Sequence, residues 1–186
     1  MIKDYETRHL FLAAAIVILV LSPVVLLVLP TGVIGALYHS KSQLVIYVMG
    51  KSYLVYAAGL FFFFLSVFVI FLLWGKKSVV LVSLTCLVLS GFSFYIAAQH
   101  YISIGSDKLS YRMLFSSEEH NYHWKEIERA TYYKDEYEKV TPTYEFIFSD
   151  GNSITLPENN YLKEYRHFIR NLMKNEGTEL EEKYYE

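Results

Sequence analysis

The sequence predicts a membrane protein in which three transmembrane α-helices are followed by a small antiparallel β domain with one C-terminal helix. Of its 186 residues, 53% are hydrophobic and only 19% are charged, whereas soluble proteins carry about 25% charged residues. Residues 1–100 hold six Lys or Arg against two Asp or Glu, and residues 101–186 hold eleven against seventeen. The first half is therefore assigned to the membrane and the acidic second half to water.

Composition also excludes several functional classes. An acidic soluble part argues against nucleic-acid binding, which needs basic surface to neutralise phosphates, and against strong docking onto anionic lipid headgroups. The single cysteine, Cys86, lies in an apolar run. It rules out an intramolecular disulfide and a paired-cysteine metal site.

Three apolar segments are long enough to cross a hydrocarbon core of about 30 Å. They are predicted at about residues 10–29, 52–74 and 79–98, so that residues 1–98 form a membrane domain. Pro23 is tolerated there as a kink, and the first run is expected to end at Pro30. The hydroxyls of the third span, such as Ser83 and Ser90, are expected to bond to carbonyls of their own helix or a neighbouring one.

The apolar runs also indicate what this membrane domain does not do. The first run is longer than the apolar core of a signal peptide, so we expect it to be retained. The spans contain no Asp, Glu, Lys, Arg or His, and this absence argues against ion-coupled transport within one subunit. The segment 31–51 is expected to be a loop on the membrane surface or a short strand.

The orientation of the chain stays open at this stage. Counting Lys and Arg near the spans gives four on each side of the membrane. The Lys76–Lys77 doublet in the short turn between the second and third spans favours a cytoplasmic turn, which would put the C-terminal domain outside.

The second half alternates polar and apolar residues, a pattern typical of strands. Ser149-Asp150-Gly151-Asn152 between two such runs is a strong hairpin signal. From about residue 159 to 175, apolar residues recur every three or four positions and predict an amphipathic helix. The acidic tail, residues 176–186, is expected to be frayed. The strand candidates are residues 101–104, 109–115, 122–124, 127–133, 144–148 and 153–156.

Three motifs resemble those of bacterial membrane-tethered pleckstrin-homology-like (PH-like) domains. They are the opening strand pair 101–111, the Trp124-Lys125-Glu126-Ile127 corner, and the hairpin 144–156. The resemblance covers residues 99–175 and implies a PH-like fold, usually in the cytoplasm. It does not account for the first helix or the Lys76–Lys77 turn.

The resemblance bears on function in two ways. Members that bind phosphoinositides use a basic cluster in the first strand pair. Only Lys108 and Arg112 lie there, so phosphoinositide binding is not expected. Similar bacterial membrane proteins include bacteriocin immunity proteins and envelope-stress proteins, which is an association by family.

No motif for catalysis is visible. The sequence contains neither a GxSxG nucleophile elbow nor a GxxxxGK[ST] phosphate loop. His120 and His123, close to Glu118 and Glu119, would point to opposite faces of a strand and lack further ligands at usable spacing. We therefore expect no metal site, no cofactor and no enzymatic activity.

Tyrosine is the one residue type whose abundance points to a function. The chain has 17 tyrosines, and tyrosine suits partly wet interfaces because its ring is apolar and its hydroxyl can stay solvated. Ordinary sheet composition and membrane anchoring are the alternative explanation. The candidate partner-binding residues are Tyr132, Tyr133, Tyr137, Tyr144, Tyr161 and Tyr165.

The sequence thus predicts a non-enzymatic multi-pass membrane protein whose soluble domain binds a protein or peptide at the membrane surface. Immunity to an antimicrobial peptide or envelope-stress sensing is one form of this function. The alternative is an accessory or scaffolding subunit of a larger transport or secretion complex. The partner, the oligomeric state and the side of the membrane are left open.

Overall fold

The structure, a computed structural model, describes residues 2–39, 43–135 and 139–185, with side chains from residue 7 onward. Its helices are α1 (Ile2–Tyr38), α2 (Gly50–Leu72), α3 (Val79–Gln99) and α4 (Asn160–Asn175). Its strands are β1 (Gln43–Tyr47), β2 (Tyr101–Gly105), β3 (Lys108–Arg112), β4 (His120–His123), β5 (Ile127–Lys134), β6 (Thr143–Phe148), β7 (Ser153–Pro157) and β8 (Leu180–Tyr184).

The chain divides into two compact units. The helical unit holds α1, α2 and α3 together with Arg112–Glu118. The sheet unit holds most of the strand residues and α4.

Three helices among the described residues are long and apolar enough to cross a membrane, as the sequence predicts. The expectation that the first one ends at Pro30 is wrong, because α1 continues through Pro23 and Pro30 to Tyr38. A helix satisfies its own backbone hydrogen bonds, which lipid cannot do, so an apolar run stays helical past a proline that would end it in water.

Small and hydroxylated residues pack α2 against α3. Ser66 Oγ donates to the Ser83 carbonyl (3.0 Å) and Ser83 Oγ to the Ser66 carbonyl (2.9 Å). Ser90 Oγ donates to the Gly59 carbonyl (2.8 Å), while a Cβ at Gly59 would lie 2.9 Å from the Phe94 ring. The predicted helix-to-helix role of these hydroxyls is confirmed.

His100 is the C-cap residue that directly follows α3. Its side chain is buried and its Nδ1 bonds to Ser52 Oγ in the first turn of α2. Burial, with a smaller contribution from the charge of Lys51, lowers the pKa of His100. The neutral imidazole is therefore the form that fits this position.

The first sheet has the order β1-β2-β3-β4. The short strand expected within residues 31–51 is confirmed for residues 43–47, which form the edge strand β1. The rest of that expectation is wrong where residues 31–38 belong to α1 and residues 50–51 begin α2. Strands β3 and β4 pair antiparallel with Leu109 opposite Tyr122. The predicted strand through Phe115 is too long, because β3 ends at Arg112 and Phe115 has a φ of 66°.

The second sheet has the order β7-β6-β5-β8. The predicted hairpin is confirmed: β6 and β7 pair antiparallel, with Phe146 opposite Ile154. Gly151 has a φ of 83° in the turn, a conformation that glycine adopts without steric cost. Asp150 Oδ1 accepts a hydrogen bond from the Asn152 amide (2.9 Å) and fixes the turn.

The expectation of a frayed acidic tail is wrong. Residues 180–184 form β8, which pairs parallel with β5, Tyr132 lying opposite Glu182. Glu182 forms ion pairs with Lys134 (2.6 Å) and with Arg170 of α4. Acidic side chains that repel one another in isolation are thus matched by cations from two other elements.

The predicted amphipathic helix is confirmed as α4. Asn159 caps it by accepting a hydrogen bond from the Leu162 amide (2.8 Å), and Leu162, Ile169 and Met173 are buried. An antiparallel-rich sheet domain with a C-terminal helix follows the apolar helices, as expected. Membership of the PH-like family stays a prediction.

Candidate partner-binding surface

The six candidate tyrosines do not form one face. Tyr132 and Tyr144 lie opposite each other on β5 and β6, and both are buried, with exposed fractions of 3% and 1%. Their assignment to a partner-binding face is therefore corrected: they belong to the core. Tyr133, the next residue on β5, projects to the other face of the sheet because side chains alternate along a strand.

The remaining candidates lie elsewhere. Tyr161 is exposed and Tyr165 half-buried, both on α4. Tyr137 lies outside the described residues. Of the five candidate tyrosines that the structure describes, Tyr133, Tyr161 and Tyr165 thus keep surface that a partner could reach.

A buried polar cluster holds the inner face of the second sheet to α4. Glu158 accepts hydrogen bonds from Tyr132 Oη (3.1 Å) and Tyr144 Oη (3.0 Å). Arg166 Nη2 lies 2.7 Å from both Glu158 carboxylate oxygens and 2.6 Å from Tyr132 Oη. The Arg166 guanidinium also lies 4.7 Å from the centre of the Tyr132 ring. We call these four residues the inner cluster.

The electrostatics of the inner cluster favour the protonated forms of its two phenols and its guanidinium. Burial, and then the charge of Glu158, raises the pKa of Tyr132 and of Tyr144. Burial alone would lower the pKa of Arg166, but the hydrogen bonds and the charge of Glu158 outweigh it and raise the pKa. Both phenols therefore remain protonated and donate to Glu158.

A cleft of about 560 Å³ opens beside the inner cluster. Its walls carry charges of both signs, and several are already matched within the unit, as in the Lys134–Glu182 ion pair. Asp135 accepts from the backbone amides of Lys139 (2.8 Å) and Val140 (2.9 Å). The charged residues lining the cleft are Lys134, Asp135, Lys139, Glu158, Lys163, Arg166 and Glu182.

The opposite face of the second sheet carries a second tyrosine pair. The rings of Tyr133 and Tyr185 stack with centres 5.6 Å apart. Tyr133 Oη donates to Glu145 (3.2 Å), and Tyr185 Oη lies 2.5 Å from Thr143 Oγ1. With Thr155 of β7 these residues line a shallow depression of about 310 Å³. We call these five residues the outer tyrosine patch.

The outer tyrosine patch has the composition of a protein-recognition surface. Two half-exposed aromatic rings supply apolar area, and the surrounding hydroxyl and carboxylate oxygens supply hydrogen-bonding groups. The patch reaches β7, which is an edge strand in the order of the sheet. An edge strand can pair with an extended segment of another chain.

His120 and His123, the two histidines considered as metal ligands from the sequence, contact neighbouring residues in and next to the first sheet. The His120 ring stacks on Tyr111 with centres 4.9 Å apart, and His123 Nδ1 lies 3.3 Å from the Asp107 carbonyl. Within residues 2–39, 43–135 and 139–185, no group of three or more His, Cys, Asp or Glu side chains could hold a metal ion.

Comparisons with known proteins do not assign the chain to a family. No protein-family model matches the sequence, and a search of curated proteins finds no match. The functional argument therefore depends on the residues and their geometry.

The sequence does not predict the places of Tyr185 in the outer tyrosine patch and of Arg166 in the inner cluster. Tyr185 lies in the tail that the sequence predicts to be frayed, and Leu180-Glu181-Glu182-Lys183-Tyr184 shows no alternation of apolar and polar residues that would predict a strand there. The pairing of Arg166 with Glu158 is not predicted by the sequence, because Glu158 precedes α4 and Arg166 lies eight residues later within it. Its partnership depends on where β5 and β6 place their phenols.

Proposed function

We propose that this chain is a multi-pass membrane protein that binds an extended segment of a protein or peptide through the outer tyrosine patch. The observation that carries the proposal is the stacked Tyr133–Tyr185 pair on the outer face of a sheet whose edge strand is β7. Three apolar helices support a membrane location.

The patch favours a polypeptide over a small molecule. Its depression is shallow, whereas small-molecule sites are concave and enclose most of the ligand. Main-chain pairing along β7 would supply affinity, and the outward residues Glu145 and Thr155 would select side chains of the partner. One form of this function is protection against an antimicrobial peptide, which is supported by the family resemblance alone.

Site-specific photo-crosslinking tests the proposal. A benzoylphenylalanine placed at Tyr133 of the full chain, in the cells that express it, is expected to give a discrete polypeptide adduct. The matched control places the same group at Phe168, a half-exposed aromatic position on α4. Adducts that are absent at Tyr133, or identical at both positions, would overturn the proposal.

The identity of the adduct distinguishes interception of a peptide from the accessory-subunit alternative. A secreted or membrane-active peptide supports interception at the membrane surface. An integral membrane protein that also requires this chain for its stability supports the accessory-subunit alternative.

A further inference from the structure

The loop between β3 and β4 presents apolar side chains outward. Met113, Leu114 and Phe115 follow one another there, and the Phe115 side chain is 75% exposed. In the part of the chain that the structure describes, Phe115 is the one non-glycine residue with a positive φ, at 66°. The Ser116 amide donates to the Met113 carbonyl (3.1 Å) and closes a tight turn. The turn thus has an unfavourable backbone conformation while most of its phenylalanine side chain is exposed.

This loop lies against the C-terminal end of α3. Arg112, directly before it, donates from Nη1 to Gln99 Oε1 (2.9 Å), and Arg112–Glu118 belong to the helical unit. A groove of about 410 Å³ lies between the loop and the helix. The groove is mostly apolar and is lined by Phe92, Tyr95, Ile96 and Gln99 of α3 and by Phe115, Ser116 and Ser117 of the loop.

The position of the groove indicates what occupies it. Helix α3 has 21 residues, which span about 31 Å at 1.5 Å per residue and match the hydrocarbon core of a bilayer. Phe92 and Tyr95 project from its last two turns and are exposed, so on a membrane-crossing helix they face lipid. The groove is continuous with this lipid-facing surface, and aromatic rings are enriched at that depth.

We propose that Met113–Ser117 is an interfacial membrane anchor, in which Phe115 lies among the lipids beside the end of α3. A phospholipid acyl chain occupies the groove between Phe115 and Tyr95. The outward phenylalanine is then placed in an apolar medium instead of water. This inference rests on α3 crossing the bilayer, which is part of the proposed function.

Spin-label accessibility in the full chain tests the anchor. In a Cys86→Ser background reconstituted into phosphatidylcholine vesicles, Phe115→Cys is labelled with a nitroxide. Its collisions with oxygen, which concentrates in lipid, are compared with those with a water-soluble nickel chelate. Val88→Cys, on the exposed surface of the middle of α3, is the lipid control, and Lys125→Cys, at an exposed charged position, is the aqueous control.

The controls separate failure of the anchor from failure of the membrane assignment. The anchor predicts that the label at position 115 meets oxygen more than the chelate, as at position 88 and unlike position 125. A label at 115 that behaves like 125, while 88 lies in lipid, overturns the anchor alone. A label at 88 that meets the chelate freely overturns the membrane crossing and the anchor together.

Two further results also decide the inference. A label at 115 that is immobile and inaccessible to both reagents would mean that a second copy or another protein covers the loop, which overturns the lipid assignment. If the nitroxide disturbs the turn, a Phe115→Trp variant is used in place of the labelled Phe115→Cys variant, and the fluorescence of the new tryptophan is measured. Its fluorescence is expected to be quenched by lipids brominated on their acyl chains, beyond the quenching of the parent protein, and equal quenching would overturn the anchor.

Discussion

Replacing Arg166 by methionine removes the cation of the inner cluster while keeping most of the side-chain volume. Glu158 would remain behind as a buried carboxylate, since only 6% of its side chain is exposed. Tyr132 and Tyr144 would still donate to it, but no cation would balance its charge. A buried charge without its partner destabilises a fold.

The magnitude follows from the burial of the pair. Removing one member of a fully buried ion pair costs about 3 to 5 kcal/mol. The Arg166 side chain is 30% exposed, so water already screens part of the interaction. Two phenol hydrogen bonds also remain on Glu158. We therefore expect Arg166→Met to lower the free energy of opening of the sheet unit by about 2 to 3 kcal/mol.

Hydrogen–deuterium exchange of the full chain in detergent measures this quantity locally. At about 1.4 kcal/mol per factor of ten, amides of β5 and α4 that exchange by the same opening are expected to exchange roughly 30- to 150-fold faster. Arg170→Met is the matched control. Arg170 lies on the same helix and also pairs with a glutamate, but its side chain is 41% exposed. Its loss is expected to cost less than about 1 kcal/mol.

Equal exchange rates in the two variants would refute the reasoning, because they would mean that burial of Glu158 adds nothing to the cost. A second variant sharpens the test. Glu158→Gln in the Arg166→Met background removes the unbalanced charge and keeps an oxygen that accepts from the phenols. It is expected to recover part of the lost protection.

Three more predictions concern other parts of the chain. Gly59→Val is expected to destabilise the packing of α2 on α3 by about 1 to 3 kcal/mol and to lower the detergent melting temperature, whereas Gly91→Val, where an added Cβ meets nothing within 4 Å, should not. Burial lowers the pKa of His100 below its ordinary 6.5, so the unfolded state binds a proton at a higher pH than the folded state does. The free energy of unfolding is therefore highest above pH 6.5 and decreases as the pH falls from 6.5 to the folded pKa. The protection factors of amides at the end of α3, which correct for the slower intrinsic exchange in acid, should fall as the pH falls through this range, and His100→Gln should remove that dependence. Deleting residues 178–186 uncovers the edge of β5, whose amides should lose protection; unchanged protection would contradict a stable β8.

Elements defined by local pattern could be predicted from the sequence. The membrane helices follow from uninterrupted apolar length, the hairpin from Asp150-Gly151, and α4 from its apolar stripe and the cap at Asn159. These signals lie within a few residues of the structure that they specify. In α1 the same local rule failed, since proline ends most helices in water but α1 continues past Pro30 to Tyr38.

Elements defined by distant partners could not be predicted in this way. Strand β8 depends on cations supplied by Lys134 and Arg170, which its own residues do not reveal. Tyrosine abundance predicts the candidate site only in part, because abundance does not tell which face of a strand each tyrosine occupies. Tyr132 and Tyr133 are neighbours on β5 and must face opposite sides. That rule was available from the sequence and separates the core tyrosine from the surface one.

The most direct test of the three-span account is the sidedness of two labelled positions. Single cysteines at Lys77, in the turn between α2 and α3, and at Lys125, in the sheet unit, are placed in a Cys86→Ser background and treated with a membrane-impermeant maleimide in intact cells. Both positions are exposed. Because α3 lies between them in the chain, the account predicts that one labels in intact cells and the other only after the cells are broken. Labelling of both from the same side would contradict it.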